Sequence, residues 1–268
     1  MAVLNKRDRR ELDWPRHQRH QFFQPSEDLA RFVVGYWHVS WRYTTPYRQL
    51  IVALPQVNLS YRCGGLPEVH GVSRGHTFRE LAGSSCAFGV TFRPGCFRPF
   101  LGTAVRSITD RSVPAAEVFA GVPDRPEIPL IEAMLRQRLP ASDPSADLAT
   151  AAVETIATEP GIQRVDLLAR HLELSVRQLE RLFAEHVGVG PKWVIRRYRL
   201  QEAVDRMDEA KPIDWATLAD TLGYADQAHL TRDFTRMFSE PPTAYAARYH
   251  GRRQHLPSGE SASRTAND

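Results

Sequence analysis

The sequence predicts a two-domain α+β protein, with a β-rich N-terminal domain followed by an all-α C-terminal domain. Between residues 28 and 100, apolar and polar residues alternate with period two, the pattern of half-buried strands. After residue 145 the apolar residues recur at helical spacing. The stretch PASDPSAD at 140–147 has the composition of a linker. We therefore expect one domain over 1–140 and a second over 145–255.

The composition is that of a soluble globular protein, with 42% apolar and 25% charged residues in 268. No run of about 18 apolar residues is present, so we expect no contact with a membrane. The N-terminus lacks the apolar core of a secretory signal. Three cysteines, an odd number without metal-like spacing, favour a reduced, cytoplasmic protein without metal or cofactor. The net charge of +4 is weak evidence for nucleic acid.

Three segments carry the alternation in the N-terminal domain, and Gly64-Gly65 and Pro94-Gly95 mark turns near them. We expect an antiparallel barrel or sandwich, with short helices near 28–31, in SVPAAEVF and over 129–138. Residues 1–20 are polar and typical of a solvated arm, and the tail 256–268 lacks apolar residues and should be disordered. The inward-facing residues would be Trp37, Val39, Trp41 and Tyr43, then Val57, Leu59, Tyr61 and Cys63, then Cys86, Phe88, Val90 and Phe92.

The C-terminal domain begins with a helix near 148–156, and 165–191 then predicts two helices joined by a short turn. Leu168 and Leu172 recur at helical spacing, and after a break Leu179 and Phe183 do so again. Ser175 stands directly before the second helix, where its hydroxyl can cap the exposed N–H groups. A helix, a tight turn and a capped second helix are typical of the helix-turn-helix, whose second helix enters the DNA major groove.

The same pattern returns about fifty residues later, over 216–242, which indicates two structural copies. A helix starting at Pro191 and ending before Pro212 would join them. At 1.5 Å per residue, about 17 residues span roughly 25 Å. A rod of that length can hold two recognition helices about one DNA turn, roughly 34 Å, apart.

The C-terminal region, roughly 145–253, resembles the AraC/XylS-type DNA-binding domain. The resemblance rests on LA...L.LS.R.LERLF.E.VGV.PK, on the R..RL..A run from Arg196 to Ala203, and on LGY.DQAHLTRDF...PP..Y. It implies a regulator of transcription that binds double-stranded promoter DNA and, if it is an activator, RNA polymerase. The family usually has glycine in the first turn, where this chain has Glu173, and often a serine cap where it has Ala225, although Asp226 beside it can shift the cap by one.

The N-terminal phrases PSEDLARFVVGYW, VHGVSRG and FGVTFRPGCFRPFLG resemble the sensor-type domain of one subset of these regulators. In the wider family this domain is often a cupin-like barrel that binds a small effector or mediates homodimerisation. The resemblance implies those two roles as a class and names no ligand.

The expected DNA contacts lie on the open sides of the two recognition helices and on the helix between them. Arg pairs with guanine, Gln with adenine, and Glu accepts from cytosine. Lys and Arg near helix ends position the domain on phosphates. The expected base contacts are Arg177, Gln178, Glu180 and Arg181 in the first unit and Gln227, His229, Thr231 and Arg232 in the second, and the expected phosphate contacts are Lys192, Arg196, Arg197 and Arg236.

Two other functional classes stay open. A DNA-associated enzyme, such as a cysteine-dependent alkyl acceptor, would use Cys96, whose thiol pKa the neighbouring Arg93 and Arg98 could lower. The Pro-Cys-His-Arg signature of such acceptors is missing, and His70 and His76 lack metal-ligand spacing. A protein-binding module that grips protein in place of DNA is the other class.

Overall fold

The computed structural model describes residues 17–140, 143–207 and 212–253, the last six by their backbone alone. Most of the expected N-terminal arm and the expected disordered tail, 256–268, lie outside these ranges. The N-terminal part is built on one six-stranded antiparallel sheet with the strand order β1-β2-β5-β3-β4-β6. The strands are β1 Gln18–Phe23, β2 Val33–Val52, β3 Asn58–Arg62, β4 Glu68–His70, β5 His76–Phe92 and β6 Ser112–Pro114.

The expectation of antiparallel strands is confirmed, as are the short helices in SVPAAEVF and over 129–138, whereas residues 28–31 form turns and the helix expected there was wrong. In the described ranges the strands form a single open sheet, since the outer strands β1 and β6 do not pair with each other. Phe88, Val90 and Phe92 of β5 lie in the core beside Leu59 and Tyr61 of β3, as the alternation predicted. The covering helices are α1 Arg98–Leu101, a 3-10 helix Val105–Ile108, α2 Ala115–Val118 and α3 Ile128–Arg136.

Strand β2 turns Tyr36, and not Trp37, toward the core of the sheet, although Val39 and Tyr43, which were expected to face inward, are buried as well. Tyr36 is fully buried in the core, whereas Trp37 lies on the other side of the sheet, over Gly89 of β5. The pairing of β2 with β5 is irregular between Val33 and Gly35, and an extra residue there shifts which side chains point inward. The assignment of Trp37 and Trp41 to the inward face was therefore wrong.

The expectation that all cysteines are reduced is contradicted for one pair. Cys63 and Cys86 lie opposite each other where β3 and β5 pair, with Cα atoms 5.4 Å apart, and they form a disulfide. Cys96 is free and buried, and its burial raises the pKa of its thiol. The expected lowering of this pKa by Arg93 and Arg98 is therefore not realised, because burial outweighs it.

The C-terminal part consists of helices grouped as two copies of one unit. The helices are α4 Pro144–Thr158, α5 Val165–His171, α6 Val176–His186, α7 Pro191–Met207, α8 Trp215–Thr221, α9 Gln227–Phe238 and α10 Pro242–Arg253. Helices α5 and α6 form the first helix-turn-helix, α8 and α9 form the second, and α7 connects them. None of the described helices is both long and apolar enough to cross a membrane.

Each unit has its own apolar core, and α7 contributes to both. Phe183 of α6 is fully buried in the first core with Val194 of α7, and Phe234 of α9 in the second with Leu200 of α7. The sheet and α3 share a third core, which extends to Leu135. The domain boundary near 140–147 stays a proposal, consistent with this change of core.

The N-terminal part packs directly against both units. The Trp193 indole N–H donates to the backbone oxygen of Arg74 over 2.9 Å. The Thr109 hydroxyl donates to the backbone oxygen of Gly188 over 2.6 Å. Val72 packs in the first helical core, and Val52 packs against the second. The two parts are thus joined by buried apolar contacts and by directional hydrogen bonds.

Candidate DNA-binding interface

The two helix-turn-helix turns have the same backbone geometry, residue for residue, at an offset of 50. In the first, Glu173 N–H donates to Arg170 O and Leu174 N–H to Ala169 O. In the second, Gly223 N–H donates to Asp220 O and Tyr224 N–H to Ala219 O. The residue at the centre of each turn is left-handed, with φ 55° at Glu173 and 70° at Gly223. This correspondence confirms the repeat in the sequence.

Helix α6 begins with a capping box. The Ser175 hydroxyl accepts from the backbone N–H of Gln178 over 3.3 Å, and Gln178 Oε1 accepts from the backbone N–H of Ser175 over 2.9 Å. The cap satisfies two N–H groups of the first turn and fixes where the helix starts. It also engages one end of the Gln178 amide, so this expected base contact has a structural role as well.

The open face of α6 carries the remaining predicted contacts. Leu179 and Phe183 are fully buried, which fixes the rotation of the helix about its axis. Arg177, Glu180 and Arg181 are consequently exposed together on the outer side. This face offers guanidinium donors and one carboxylate acceptor, the groups that recognise guanine and cytosine in the major groove.

Helix α9 is capped by Asp226, one residue after Ala225, as the sequence suggested. The Asp226 carboxylate accepts from the backbone N–H of His229 over 2.6 Å. Leu230 and Phe234 are fully buried, as their counterparts in α6 are. The expected base contacts on this helix are Gln227 and Arg232, which are exposed, and His229 and Thr231, which are half-buried.

A buried carboxylate that the sequence did not single out links α9 to α7. Asp233 is 8% exposed, and its Oδ2 lies 3.0 Å from Arg196 Nε and 3.8 Å from His229 Nε2. Two predicted DNA contacts therefore share one anionic partner. The sequence contains one indication of this link, because Asp233 lies among the apolar positions of α9. A helical projection places those positions toward the inside of the domain.

The predicted phosphate contacts fall into three groups. Lys192 and Arg236 are exposed and available to a phosphate. Arg196 is half-buried against Asp233. Arg197 is only 2% exposed, and its Nε donates to the backbone oxygen of Ala53 over 2.7 Å. The prediction that Arg197 binds phosphate was wrong for this conformation, because its guanidinium is occupied at the contact between the two parts.

Comparison with known families gives a match in each part of the chain. Residues 168–248 match a family described as a helix-turn-helix domain. Residues 21–114 match a family described as a domain of unknown function, DUF6597. The first match contains both turns and both recognition helices. The second contains all six strands apart from the first residues of β1.

Two curated relatives match over 75 residues, 28% of this chain. The HTH-type transcriptional regulator GlxA of Rhizobium meliloti (strain 1021) is 36% identical over 23% of its own length. The HTH-type transcriptional activator RhaS of Pectobacterium carotovorum subsp. carotovorum (strain PC1) is 32% identical over 26% of its length. The chain thus spans about a quarter of the length of these relatives.

A solved structure is also similar to part of this chain. It is the DNA-binding domain of AdpA, a global transcriptional factor, in complex with a target DNA. The sequences are 27% identical, and the similarity covers 43% of this chain and 100% of that one, with a TM-score of 0.34.

Proposed function

We propose that the C-terminal part of this chain is a helix-turn-helix domain of the AraC type and that the protein is a sequence-specific regulator of transcription, supported by the match of residues 168–248 to a helix-turn-helix family and by the similarity to GlxA and RhaS. It binds double-stranded promoter DNA through α6 and α9. The observation that carries this proposal is the geometric identity of the two turns at Glu173 and Gly223. Each unit exposes the polar face of a capped helix, so each can place one helix in a major groove of the DNA.

The units would lie in successive major grooves. Helix α7 has 17 residues and is therefore about 25 Å long, which suits recognition helices about one DNA turn apart. Arg181 and Arg232 occupy matching exposed positions and are the main candidates for bidentate contacts with guanine. Arg177, Glu180, Gln227, His229 and Thr231 complete the base contacts, while Lys192 and Arg236 position the domain on phosphates.

The other partners follow from this role. RhaS is named as an activator, and if this chain activates as well, it also contacts RNA polymerase. The sheet domain is the proposed site of homodimerisation or effector binding, and its hydrogen bonds to the first unit at Gly188 and to α7 at Trp193 give it a route to influence DNA binding. A protein that acts on promoter DNA belongs in the cytoplasm with the chromosome.

The two alternative functions receive less support. An alkyl-accepting cysteine must be accessible as a thiolate, whereas Cys96 is buried with a raised thiol pKa. A module that binds only protein would show no steep salt dependence of DNA affinity. A DNA-binding domain loses affinity in proportion to the number of phosphates it contacts.

Selection of bound sequences from a random DNA library, with the full chain, tests the proposal. We expect a site made of two short segments centred about 10 base pairs apart, one for each recognition helix. Binding to the selected site should weaken steeply as the salt concentration rises. A library that shows no enrichment, or an affinity independent of salt, would refute the assignment.

A further inference from the structure

The bridging segment, residues 72–76 between β4 and β5, contacts both helix-turn-helix units and the helix that joins them. Val72 is 1% exposed and packs in the apolar core of the first unit. The backbone oxygen of Arg74 accepts from the indole N–H of Trp193 on α7 over 2.9 Å. The Nδ1 atom of His76 donates to a backbone oxygen of α9, 3.0 Å away. Alternate residues of one short segment therefore reach the first unit, the connecting helix and the second unit in turn.

The sheet domain holds both recognition helices at their C-terminal ends. The oxygen that His76 contacts belongs to Arg236, in the last turn of α9, where carbonyl groups lack partners within the helix. Val52, which pairs with His76 in the sheet, packs against the core of the second unit. At the other unit, the buried hydroxyl of Thr109 donates over 2.6 Å to the backbone oxygen of Gly188, just beyond the end of α6. The capped N-terminal ends of both helices stay exposed.

Asp110 fixes the bridging segment relative to Thr109, the residue before it. Its backbone N–H donates to the oxygen of Val72 over 3.0 Å, and its carboxylate accepts from the backbone N–H of Arg74 over 2.6 Å. Asp110 has φ 58°, a left-handed conformation that is unfavourable for a residue with a side chain. Such strain persists where the surrounding contacts determine the backbone, and it is common at functional sites. The contacts to α6 and to α9 thus start from one internally bonded element.

We propose that Thr109 and the bridging segment set the separation and relative orientation of α6 and α9, and so determine which spacing between the two halves of a DNA site the protein accepts. His76 and Thr109 are positioning residues, since each acts through the helix whose end it holds. The inference rests on the proposed function, because spacing is a property of the DNA site. It adds to that function a specificity that comes from the sheet domain.

The geometry of DNA makes spacing a sensitive test of this arrangement. A helical turn of roughly 34–36 Å holds about 10–10.5 base pairs. One added base pair therefore moves one half of the site by about 3.4 Å and rotates it by about 34°. Two recognition helices held in a fixed arrangement cannot follow both changes, so one of them loses base contacts. Helices released from the sheet domain can adjust and keep more of these contacts.

Pulsed electron paramagnetic resonance on the full chain tests the positioning role without DNA. Nitroxide labels at Arg177→Cys and Ala228→Cys would report the distance between exposed, matching positions of α6 and α9. We expect a narrow distance distribution in the parent and a broader or shifted one after His76→Ala. His76→Asn retains an N–H donor near the Nδ1 position and should restore the narrow distribution. His171→Ala, at an exposed histidine of the first unit, is the control. A distribution that His76→Ala leaves unchanged would overturn the proposal.

Affinities for the selected DNA site, and for versions with one base pair added or removed between its halves, test the role in specificity. In the unlabelled parent the altered spacing should weaken binding by about tenfold or more, the value of roughly one bidentate base contact. In His76→Ala the same change should weaken binding by less than about threefold, and His76→Asn should restore the parent's discrimination. Equal penalties in parent and His76→Ala, with the selected site still bound, would refute this inference alone.

Thr109→Val repeats both measurements at the other anchor, and it decides the matter if His76→Ala does not fold. Valine keeps the shape of threonine and removes the hydroxyl that contacts α6, whereas Thr109→Ser keeps the hydroxyl and should behave as the parent. Tolerance of altered spacing in Thr109→Val but not in Thr109→Ser would support the proposal, and identical behaviour of the two would contradict it. A parent chain that binds no DNA refutes the proposed function and, with it, the role in spacing.

Discussion

The Nε atom of Arg197 donates a 2.7 Å hydrogen bond to the backbone oxygen of Ala53, and this contact joins the helix between the two recognition units to the sheet domain. The same guanidinium also donates to Gln201 and lies over the ring of Phe238, 5.7 Å from its centroid. Arg197 is thus held from three sides. The sequence predicts that Arg197 contacts a phosphate, but in the structure it holds the sheet domain against α7.

Arg197→Met should therefore affect stability and leave the electrostatics of DNA binding unchanged. Removal of a buried, charged hydrogen-bond donor costs about 1.5–3 kcal/mol, which chemical denaturation would measure. The slope of log affinity against log salt should not change, because no phosphate contact is lost. Lys192→Ala is the control, with unchanged stability and a slope smaller by about one. Equal slope changes in both variants would restore Arg197 as a phosphate contact.

Arg181→Ala and Arg232→Ala should each abolish sequence preference in one segment of the DNA site. Both side chains are exposed on folded helices, so the domain should stay folded. A lost bidentate contact removes about 1–3 kcal/mol of discrimination against the wrong base. Footprints and affinities on single-base variants of the selected site would measure this loss. Arg164→Ala, whose side chain is 73% exposed and pairs with Asp166, is the matched control. Parent-like base preferences in both variants would exclude these arginines from recognition.

Asp233→Asn should weaken specificity and increase non-specific attraction to DNA. The substitution keeps the size of the side chain but removes the charge that faces Arg196 and His229. Arg196 would then be free to approach a phosphate, and the salt slope on random DNA should steepen by about one. Asp220→Asn removes the same charge from an exposed position of α8. If both variants behave alike, only net charge matters, and Asp233 does not position its neighbours.

Local patterns in the sequence were sufficient to predict the helical part and most of the side chains that α6 and α9 expose. Helical spacing, the serine cap and the repeat identified both recognition helices and the exposed side of each. What could not be predicted depends on long-range contacts. Which side chains of β2 face the core depends on the irregular pairing between Val33 and Gly35, and the pairing of Cys63 with Cys86 depends on strand register. The burial of Arg197 requires a loop 144 residues away in sequence.

The residue at the centre of each turn has a positive φ, so replacing Glu173 by glycine and Gly223 by alanine should change the stability of the protein in opposite directions. Glu173 adopts φ 55°, a conformation that costs a side-chain-bearing residue about 1–2 kcal/mol and glycine almost nothing. Glycine adds entropy to the unfolded chain, which offsets part of the gain. Glu173→Gly should therefore stabilise the protein by about 0.5–1 kcal/mol in chemical denaturation.

Gly223→Ala is the mirror experiment in the second copy. Its φ of 70° is equally unfavourable for alanine, and a Cβ there would collide with the side chain of Gln163. We expect a loss of at least about 1 kcal/mol, more than the conformational term alone because Gln163 must also move. Gln163→Ala combined with Gly223→Ala separates the two causes, since only the steric part should be relieved. Stabilisation by Gly223→Ala, or destabilisation by Glu173→Gly, would show that the two turns do not share one geometry in solution.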